Sequence, residues 1–393
     1  MARRARWLGA GLLALAQTAG AACAWPDWEA FKQAHLSTDG RVIDTGSPQQ
    51  ATVSEGQAYA MFFALAAGDR ETFERVLAWT ADNLAQGDLT TRLPAWIWGR
   101  KTPESGGDPS GLQAQWGVLD DNPASDADMW IAYALLEAGR LWREDRYGEL
   151  GQAVARNIAA RETAVLPGLG RTVLPGPYGF QITESAWRLN PSYVPRQVVL
   201  RLAAAVPEWK PAVDSSLRLV TGTAPRGYAP DWVEYHHGPG FRPDAQTGAV
   251  SAYNAIRVYL WAGLLAPQDP RRAAILRTFS PLAEHVQTHG APPETVDTRT
   301  GAAGPNDGNA GFSAAVAPYL AALGRADLAQ AQARRTRAMA REAPLGYYSS
   351  VLALFGLGFL DGFYRFDAAG RLQPAWTRRC PAAVDAAPAP ARP

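Results

Sequence analysis

The chain has 393 residues, of which 47% are hydrophobic and 19% are charged, so it can bury a large core in one domain or two. Its net charge of +1 argues against nucleic acid and against an acidic membrane surface as the main partner. Fourteen tryptophans and thirteen tyrosines suit a packed core, and they equally suit a groove that stacks flat ligands.

Residues 1–22 have the pattern of a secretory signal peptide. Three arginines precede the apolar run WLGAGLLALA, and the small residues TAGAACA follow it. The run is too short to span a bilayer, and no later stretch is apolar enough to anchor the chain. We therefore predict an exported protein, periplasmic or secreted, with no membrane insertion after cleavage near Ala22 or, alternatively, after Ala24.

Two cysteines, Cys23 and Cys380, lie near the two ends of the predicted mature chain. In an oxidising compartment they could form a disulfide that ties the termini together. The alternatives are two unpaired thiols, or loss of Cys23 if cleavage follows Ala24. The disulfide is the hypothesis that we carry forward.

Helix-forming segments recur along the chain after a short predicted helix at Trp25–His35. Apolar helices are predicted to begin near residues 54, 125, 192, 251, 311 and 347, and a more polar return helix follows each of the first five. This repeat predicts an all-α fold of six helical hairpins, with an inner ring of parallel helices inside an outer ring. The starts of the inner helices then meet at one end of the molecule.

Two of the inner helices begin with the residues of a capping box. Ser54 and Gln57 form one predicted pair, and Ser125 and Asp128 form the other. If Asp128 serves the cap, Asp126 is free to point out of the helix start. The rest of this helix is apolar on every face, so a charge at its start needs water, a partner or a substrate beside it.

The segments between the helices hold two further features. Residues 87–123 form a long stretch that contains Trp96, Trp98 and Trp116, and loops of this length inside a domain are usually functional or disordered. The tryptophans argue against disorder, and Trp96 and Trp98 are candidates to form the wall of a binding groove. Residues 163–182 carry Val, Thr and aromatic residues between Gly-Pro turns, which predicts a small β-hairpin insertion.

The domain organisation follows from these segments. We predict one domain over residues 23–375 and a disordered Pro/Ala-rich tail over residues 376–393. Metal binding is not predicted, because His236 and His237 have no second cluster of His, Cys or acidic residues at ligand spacing. No phosphate-binding loop and no Ser-His-Asp arrangement is evident, so we expect no cofactor.

If the helix starts share one rim, several polar side chains share it too: Glu55, Asp126, Tyr193, Asn254, Tyr347 and Tyr348. Two carboxylates that face each other across an aromatic cleft suit hydrolysis of a glycosidic bond. Three of these residues also have a plainer, structural interpretation. Glu55 is favoured at a helix start by the helix dipole, Asp126 suits a cap position, and Asn254 suits the start of a helix.

Several segments resemble glycoside hydrolase family 8. The segment ASDADMWIAYALLEAGRLW resembles the family signature, and SEGQAYAMFFAL resembles the helix that carries the family's general acid. Shorter matches follow in order from CAWPDWEAFK through LPAWIWG, LPGPYGF, NPSYVP, APDWV and SAYNAIRVYLW to GFSAA. Within the family, the chain looks most similar to the periplasmic endoglucanases that are encoded with bacterial cellulose synthases.

The resemblance implies an (α/α)6 barrel, inversion at the anomeric carbon, β-1,4-glucan (cellulose) as substrate, and a link to the cellulose synthase complex. It implies that Glu55 is the proton donor and that Asp126 holds the sugar at the cleavage point. The family's cleft-lining positions correspond here to Trp98, Tyr193, Tyr253, Arg257 and Tyr348.

One residue departs from the family pattern. Family members usually carry a water-activating Asp where this chain has Asn254, and an amide cannot accept a proton at working pH. Another carboxylate must then act as base, with Asp126 and Asp244 as the main candidates and Glu184 and Asp120 behind them. Otherwise the chain binds glucan and cuts it slowly or not at all. Chitosan and xylan remain alternative polymers.

Overall fold

The structure is a computed structural model that describes residues 23–107, 114–378 and 380. The predicted signal peptide over residues 1–22 lies outside the described residues, as do residue 379 and residues 381–393 of the predicted tail. Within the described residues, no helix has the length and apolar character needed to cross a membrane.

Thirteen helices make up about half of the described residues. Their bounds are α1 Pro26–His35, α2 Ser54–Ala67, α3 Arg70–Leu84, α4 Ser125–Trp142, α5 Asp145–Arg161, α6 Arg196–Ala205, α7 Ala212–Gly222, α8 Ile256–Gly263, α9 Arg272–Thr278, α10 Ser280–His289, α11 Ala310–Ala322, α12 Ala326–Glu342 and α13 Tyr347–Leu360.

Six of these helices form a closed inner ring. Each of α2, α4, α6, α8, α11 and α13 packs against the next in that order, and α13 packs back against α2. Most residues of α2, α4, α11 and α13 are buried, whereas the outer helices α3, α5, α7 and α12 bury one face. The predicted (α/α)6 barrel of helical hairpins is therefore confirmed.

The sixth outer position is filled from the opposite end of the chain. No return helix follows α13 in the described residues; instead α1 packs against α13. The ring of Trp25 stacks on Phe363 with centroids 4.7 Å apart, and a Cβ at Gly358 would lie only 2.3 Å from the Trp25 ring. The N-terminal helix thus closes a ring that the helical repeat alone leaves open.

A disulfide between Cys23 and Cys380 joins the two ends at this closure. Their separation of 357 residues means that the bond restricts almost the whole unfolded chain.

We expect Cys380→Ser to destabilise the mature protein by about 2–4 kcal/mol, seen as a lower Tm. Reductant should lower the Tm of the wild type to that of the variant and leave the variant unchanged. Equal Tm values without reductant would contradict the expectation.

Thirteen short strands in the described residues form five small sheets. Their bounds are β1 Thr52–Val53, β2 Ala95–Arg100, β3 Trp116–Pro123, β4 Thr163–Leu166, β5 Gly170–Val173, β6 Gln181–Thr183, β7 Ala186–Leu189, β8 Val233–His236, β9 Gly240–Pro243, β10 Val250–Ser251, β11 Val296–Asp297, β12 Tyr364–Phe366 and β13 Leu372–Pro374.

The predicted hairpin over residues 163–182 is present in its first half. Strands β4 and β5 pair in antiparallel fashion, whereas Gln181 already belongs to the four-stranded sheet β6-β7-β8-β9. The sheet β1-β2-β3 contains much of the long 87–123 segment, so its tryptophans lie on strands. Both of these larger sheets join the starts of inner helices and were not predicted as sheets.

Both predicted capping boxes are wrong. The helices begin at Ser54 and Ser125 themselves, and the hydroxyl of each serine has no partner among the described residues. Gln57 instead binds the loop before it, since its Oε1 accepts from the N–H of Val42 at 2.6 Å. Asp128 is fully buried below the helix start rather than folded back over it.

Trp376 and Thr377, which were predicted to belong to the disordered tail, are ordered. Trp376 lies in a short 3-10 helix, and its indole N–H donates to the carbonyl of Leu65 at 2.9 Å. Upstream, the β12–β13 hairpin closes one end of the barrel, where the carboxylate of Glu137 accepts from the N–H of Leu372 at 2.7 Å. The boundary itself stays a prediction.

Candidate active site

A cavity of about 300 Å³ opens where the inner helices begin. It is lined by side chains from four different inner hairpins and from the loops that lead into them. The lining residues are Val53, Ser54, Glu55, Trp96, Ala124, Asp126, Tyr193, Tyr253, Asn254, Arg257 and Tyr348. Parallel inner helices place their first turns at one end, which is why residues so distant in sequence meet here.

Arg257 is the central contact of the cavity. Its Nη1 pairs with Glu55 Oε2 and lies 3.2 Å from Asp126 Oδ2. Its Nη2 donates to Ser192 Oγ at 3.2 Å and to Asn254 Oδ1 at 2.9 Å. Arg257 is only 4% exposed, so its charge acts with little screening by solvent. One guanidinium therefore orients both carboxylates.

The pKa of Glu55 is raised to about 7, mainly by burial. The positive charge of Arg257 opposes the shift, and the negative charge of Asp126 contributes to it. A carboxyl group with a pKa near neutrality can hold a proton at working pH and release it to a leaving group. Glu55 thus meets the requirement for a general acid, despite its place at a helix start.

The raised pKa sets an expected pH dependence. A general acid donates only while protonated, so kcat/KM on a soluble glycan should fall as pH rises through about 7. For a carboxyl with its ordinary pKa, the same decline would begin near pH 4.5. Initial rates between pH 4 and pH 9 in constant ionic strength distinguish the two cases. A decline complete by pH 5.5 would contradict the assignment.

Asp126 lies at the first turn of α4 and is 4% exposed. Burial raises its pKa, and the charge of Arg257 lowers it. Its Oδ1 accepts from the N–H of Ala127 at 2.9 Å. This carboxylate faces Glu55 across Arg257, so the structure brings together the two acidic residues predicted to form the site.

Asn254 also lines the cavity, with its side-chain oxygen already engaged. Oδ1 accepts from Asn190 Nδ2 at 3.0 Å and from Arg257 Nη2 at 2.9 Å. Its Nδ2 has no hydrogen-bond partner among the described residues. What Asn254 offers to the cavity is a donor, and a donor can orient water but cannot take a proton from it.

Aromatic side chains form the walls of the cavity. Tyr193, Tyr253 and Tyr348 line it as predicted, and the hydroxyl of Tyr348 donates to the carbonyl of Tyr253 at 2.5 Å. Tyr253 is 43% exposed, and its hydroxyl donates to Glu294 Oε1 at 2.6 Å. Exposed tyrosine rings of this kind suit stacking against the apolar face of a sugar.

Trp96 and Trp98 were both predicted to line the cleft, and Trp96 lines the cavity whereas Trp98 does not. Strand β2 carries register shifts on both sides of Ile97, and a bulge breaks the alternation that would put both tryptophans on one face. The Trp98 ring stacks on the Trp116 ring, with centroids 5.6 Å apart. The guanidinium carbon of Arg41 lies over the Trp98 ring, 4.4 Å from its centroid. Trp98 is therefore held outside the cavity.

The other predicted base candidates do not line the cavity. Asp244 is fully bound by Arg188, whose Nε and Nη2 donate to its two oxygens at 2.8 and 3.0 Å, and these contacts lower its pKa. Asp120 lines a separate groove, and Glu184 lies in the exposed turn between β6 and β7. Among the candidates, only Asp126 is in the site.

Sequence reasoning missed the residues that hold the site from outside. Asn190 and Ser192 bind the Asn254 amide and Arg257, and Glu294 binds Tyr253. Asn190 and Ser192 both stand in the quoted NPSYVP segment, whereas Glu294 has no distinctive sequence signal. His236 contacts Glu234 at 2.7 Å, and the described residues contain no group of three or more potential metal ligands.

Two carboxylates that face each other inside an aromatic pocket, at one end of a ring of parallel helices, provide what a glycoside hydrolase needs. The comparisons agree. The chain belongs to glycosyl hydrolase family 8, whose family model matches residues 3–362. The resemblance inferred from the signature segments is thereby confirmed.

Named relatives match along nearly the whole chain. It is 44% identical over 374 residues to an endoglucanase of Salmonella typhi, covering 95% of this chain and 97% of that protein. It is 47% identical over 356 residues to an endoglucanase of Xanthomonas axonopodis pv. citri, covering 90% and 89%. The endo-1,4-D-glucanase structure from Vibrio fischeri ES114 superposes with a TM-score of 0.81 at 42% identity, covering 90% of this chain and all of that one.

Proposed function

We propose that this glycoside hydrolase is an endo-β-1,4-glucanase, a cellulase that cuts within β-1,4-glucan chains. The observation that carries the proposal is the pairing of Glu55 and Asp126 on Arg257 at the floor of an aromatic cavity. Glu55 donates its proton to the glycosidic oxygen as the bond to the anomeric carbon breaks, and Asp126 holds the sugar in the cleavage subsite. The endoglucanase names of its relatives support β-glucan as substrate.

Inversion of the anomeric carbon, which the family resemblance implies, is part of the proposal, and it requires a base that lies apart from the acid. Glu55 and Asp126 both bind one nitrogen of Arg257 within 3.2 Å, so their nearest oxygens lie less than twice that distance apart. This is closer than the ~6.5–9.5 Å that separates the acid from the base in inverting glycosidases. Asp126 is therefore a poor candidate for the base that activates water, and another group must serve.

Incubation of the mature protein with carboxymethyl-cellulose tests the proposal. We expect new reducing ends together with a rapid fall in viscosity, because cuts inside the chain shorten it quickly. Proton NMR of the first product should show the α-anomer if the reaction inverts. A panel with xylan and chitosan tests the polymer, and a faster rate on either one would overturn the assignment to β-1,4-glucan.

The second candidate is a glucan-binding accessory that does not hydrolyse its ligand, and Asn254 at the cavity is the observation that favours it. This alternative predicts binding of cello-oligosaccharides by calorimetry without any product. It also predicts that Glu55→Gln binds and behaves like the wild type. Hydrolysis that Glu55→Gln abolishes would exclude it.

We also propose that the protein trims nascent cellulose outside the cytoplasm, in the periplasm or after secretion. The predicted signal peptide over residues 1–22 and the resemblance to endoglucanases encoded with cellulose synthases support this role. The cellulose synthase complex is then the expected partner. Deletion of the gene should change the amount or crystallinity of cellulose in the producing cell, and Glu55→Gln should fail to restore it.

A further inference from the structure

Among the described residues that line the cavity, no carboxylate is suited to activate water. Glu55 and Asp126 are the carboxylates, and both are bound to Arg257. Asn254 is bound to the same guanidinium, and its amide cannot accept a proton. If the proposed hydrolysis is correct, the proton of the attacking water must go to a group just behind the lining residues.

Asp231 is the carboxylate nearest to Asn254 by its direct contacts. Its Oδ1 accepts three backbone hydrogen bonds from the turn that precedes α8, from the N–H groups of Ala252 at 2.8 Å, Asn254 at 3.1 Å and Ala255 at 2.7 Å. The free N–H groups at a helix start point out of the helix, away from its body. Asp231 therefore lies beyond the start of α8, at the end of the barrel where the cavity opens.

The second carboxylate oxygen of Asp231 is available to accept a proton. Oδ2 makes no hydrogen bond to any described residue, and the side chain is only half-buried. Burial raises the pKa of Asp231 above its ordinary value, although the three N–H groups and Arg257 act against the shift. Its charge also raises the pKa of Tyr348, which lines the cavity, so Asp231 and the cavity share one electrostatic environment.

We propose that Asp231 is the general base of the reaction, a conclusion that rests on the proposed function. Water is oriented by the Asn254 amide and attacks the anomeric carbon, while its proton passes to Asp231 Oδ2. Glu55 gives its proton to the glycosidic oxygen, and the bond between that oxygen and the anomeric carbon breaks. Afterwards Asp231 releases one proton to solvent and Glu55 takes one up, so atoms and charges balance.

A double-mutant experiment separates a base from a residue that only shapes the turn. Asp231→Asn keeps an oxygen that accepts from the three N–H groups, and it should lower kcat on carboxymethyl-cellulose by about 10²–10⁴-fold. Asn254→Asp supplies a carboxylate inside the cavity. In that background, Asp231→Asn should cost less than about tenfold, because the new carboxylate takes the proton.

Four results would overturn the proposal. Asp231→Asn could keep the kcat of the wild type. It could also lower kcat by the same factor in the wild type and in Asn254→Asp, which would mean that Asp231 only positions the turn. The wild type could be inactive while Asn254→Asp is active, which would mean that no base works in the native chain. If Asp231→Asn does not fold, Asp231→Glu keeps a carboxylate, and its complete inactivity at native Tm would also overturn the proposal.

Asp269 provides the matched control. It is a buried aspartate that accepts a backbone N–H from Arg271 at 2.8 Å and pairs with Arg196, and it does not line the cavity. Asp269→Asn should lower Tm and leave kcat within about twofold of the wild type. Inactivity of both the wild type and Asn254→Asp on every glucan would contradict the proposed function instead, so the two failures are distinguishable.

Discussion

Glu55→Gln is expected to lower kcat on carboxymethyl-cellulose by about 10²–10⁴-fold, the usual cost of removing a general acid. The amide keeps the shape of the side chain and an oxygen that accepts from Arg257, but it has no proton to give to the leaving oxygen. KM should change by much less than kcat, since the sugar contacts stay. Initial rates with reducing-end detection measure both values.

A leaving group that needs no protonation provides an internal check. Aryl cellobiosides made from an acidic phenol release that phenol as a phenolate, which needs no proton. Glu55→Gln should therefore retain far more activity on them than on the polymer. Glu71→Gln is the matched surface control, because Glu71 lies at the first turn of α3 with its side chain 84% exposed. Equal losses on both substrates would mean that Glu55 acts in binding rather than as an acid.

The barrel and the acidic pair were predictable because their signals repeat. An apolar helix followed by a polar one returns five times, and a ring of parallel helices brings Glu55 and Asp126 to one end. Arg257 was carried over from the family resemblance, but its bridge between the two carboxylates depends on which face of α8 points into the cavity. Helical spacing alone does not specify that direction.

Other features depend on contacts that local sequence does not encode. The bulge around Ile97 places Trp96 in the cavity and Trp98 outside it, because one extra residue reverses the alternation of a strand. Helix α8 begins five residues after Ser251, since Asp231 binds the turn between them. The last outer helix comes from the N-terminus, and a search for repeats cannot find a partner that precedes the first repeat.

Arg257→Met is expected to lower both stability and kcat, with a pH dependence that identifies the cause. Breaking a buried ion pair from one side costs about 3–5 kcal/mol, because the remaining charge stays buried. Arg257 lowers the pKa of Glu55 and Asp126, so its removal raises both. A carboxyl whose folded pKa is raised loses stability as pH increases toward that pKa, since the unfolded chain ionises first.

The loss in free energy of unfolding for Arg257→Met should therefore be small at pH 5 and largest near pH 8, measured by urea unfolding. Adding Glu55→Gln to Arg257→Met should recover part of the loss at pH 8, because one of the two facing charges is gone. Arg201→Met is the control, since Arg201 pairs with buried Glu137 outside the cavity and should cost stability without lowering kcat. A loss that is equal at pH 5 and pH 8 would show that Arg257 acts through packing alone, because charge repulsion between two carboxyls must disappear once they are protonated.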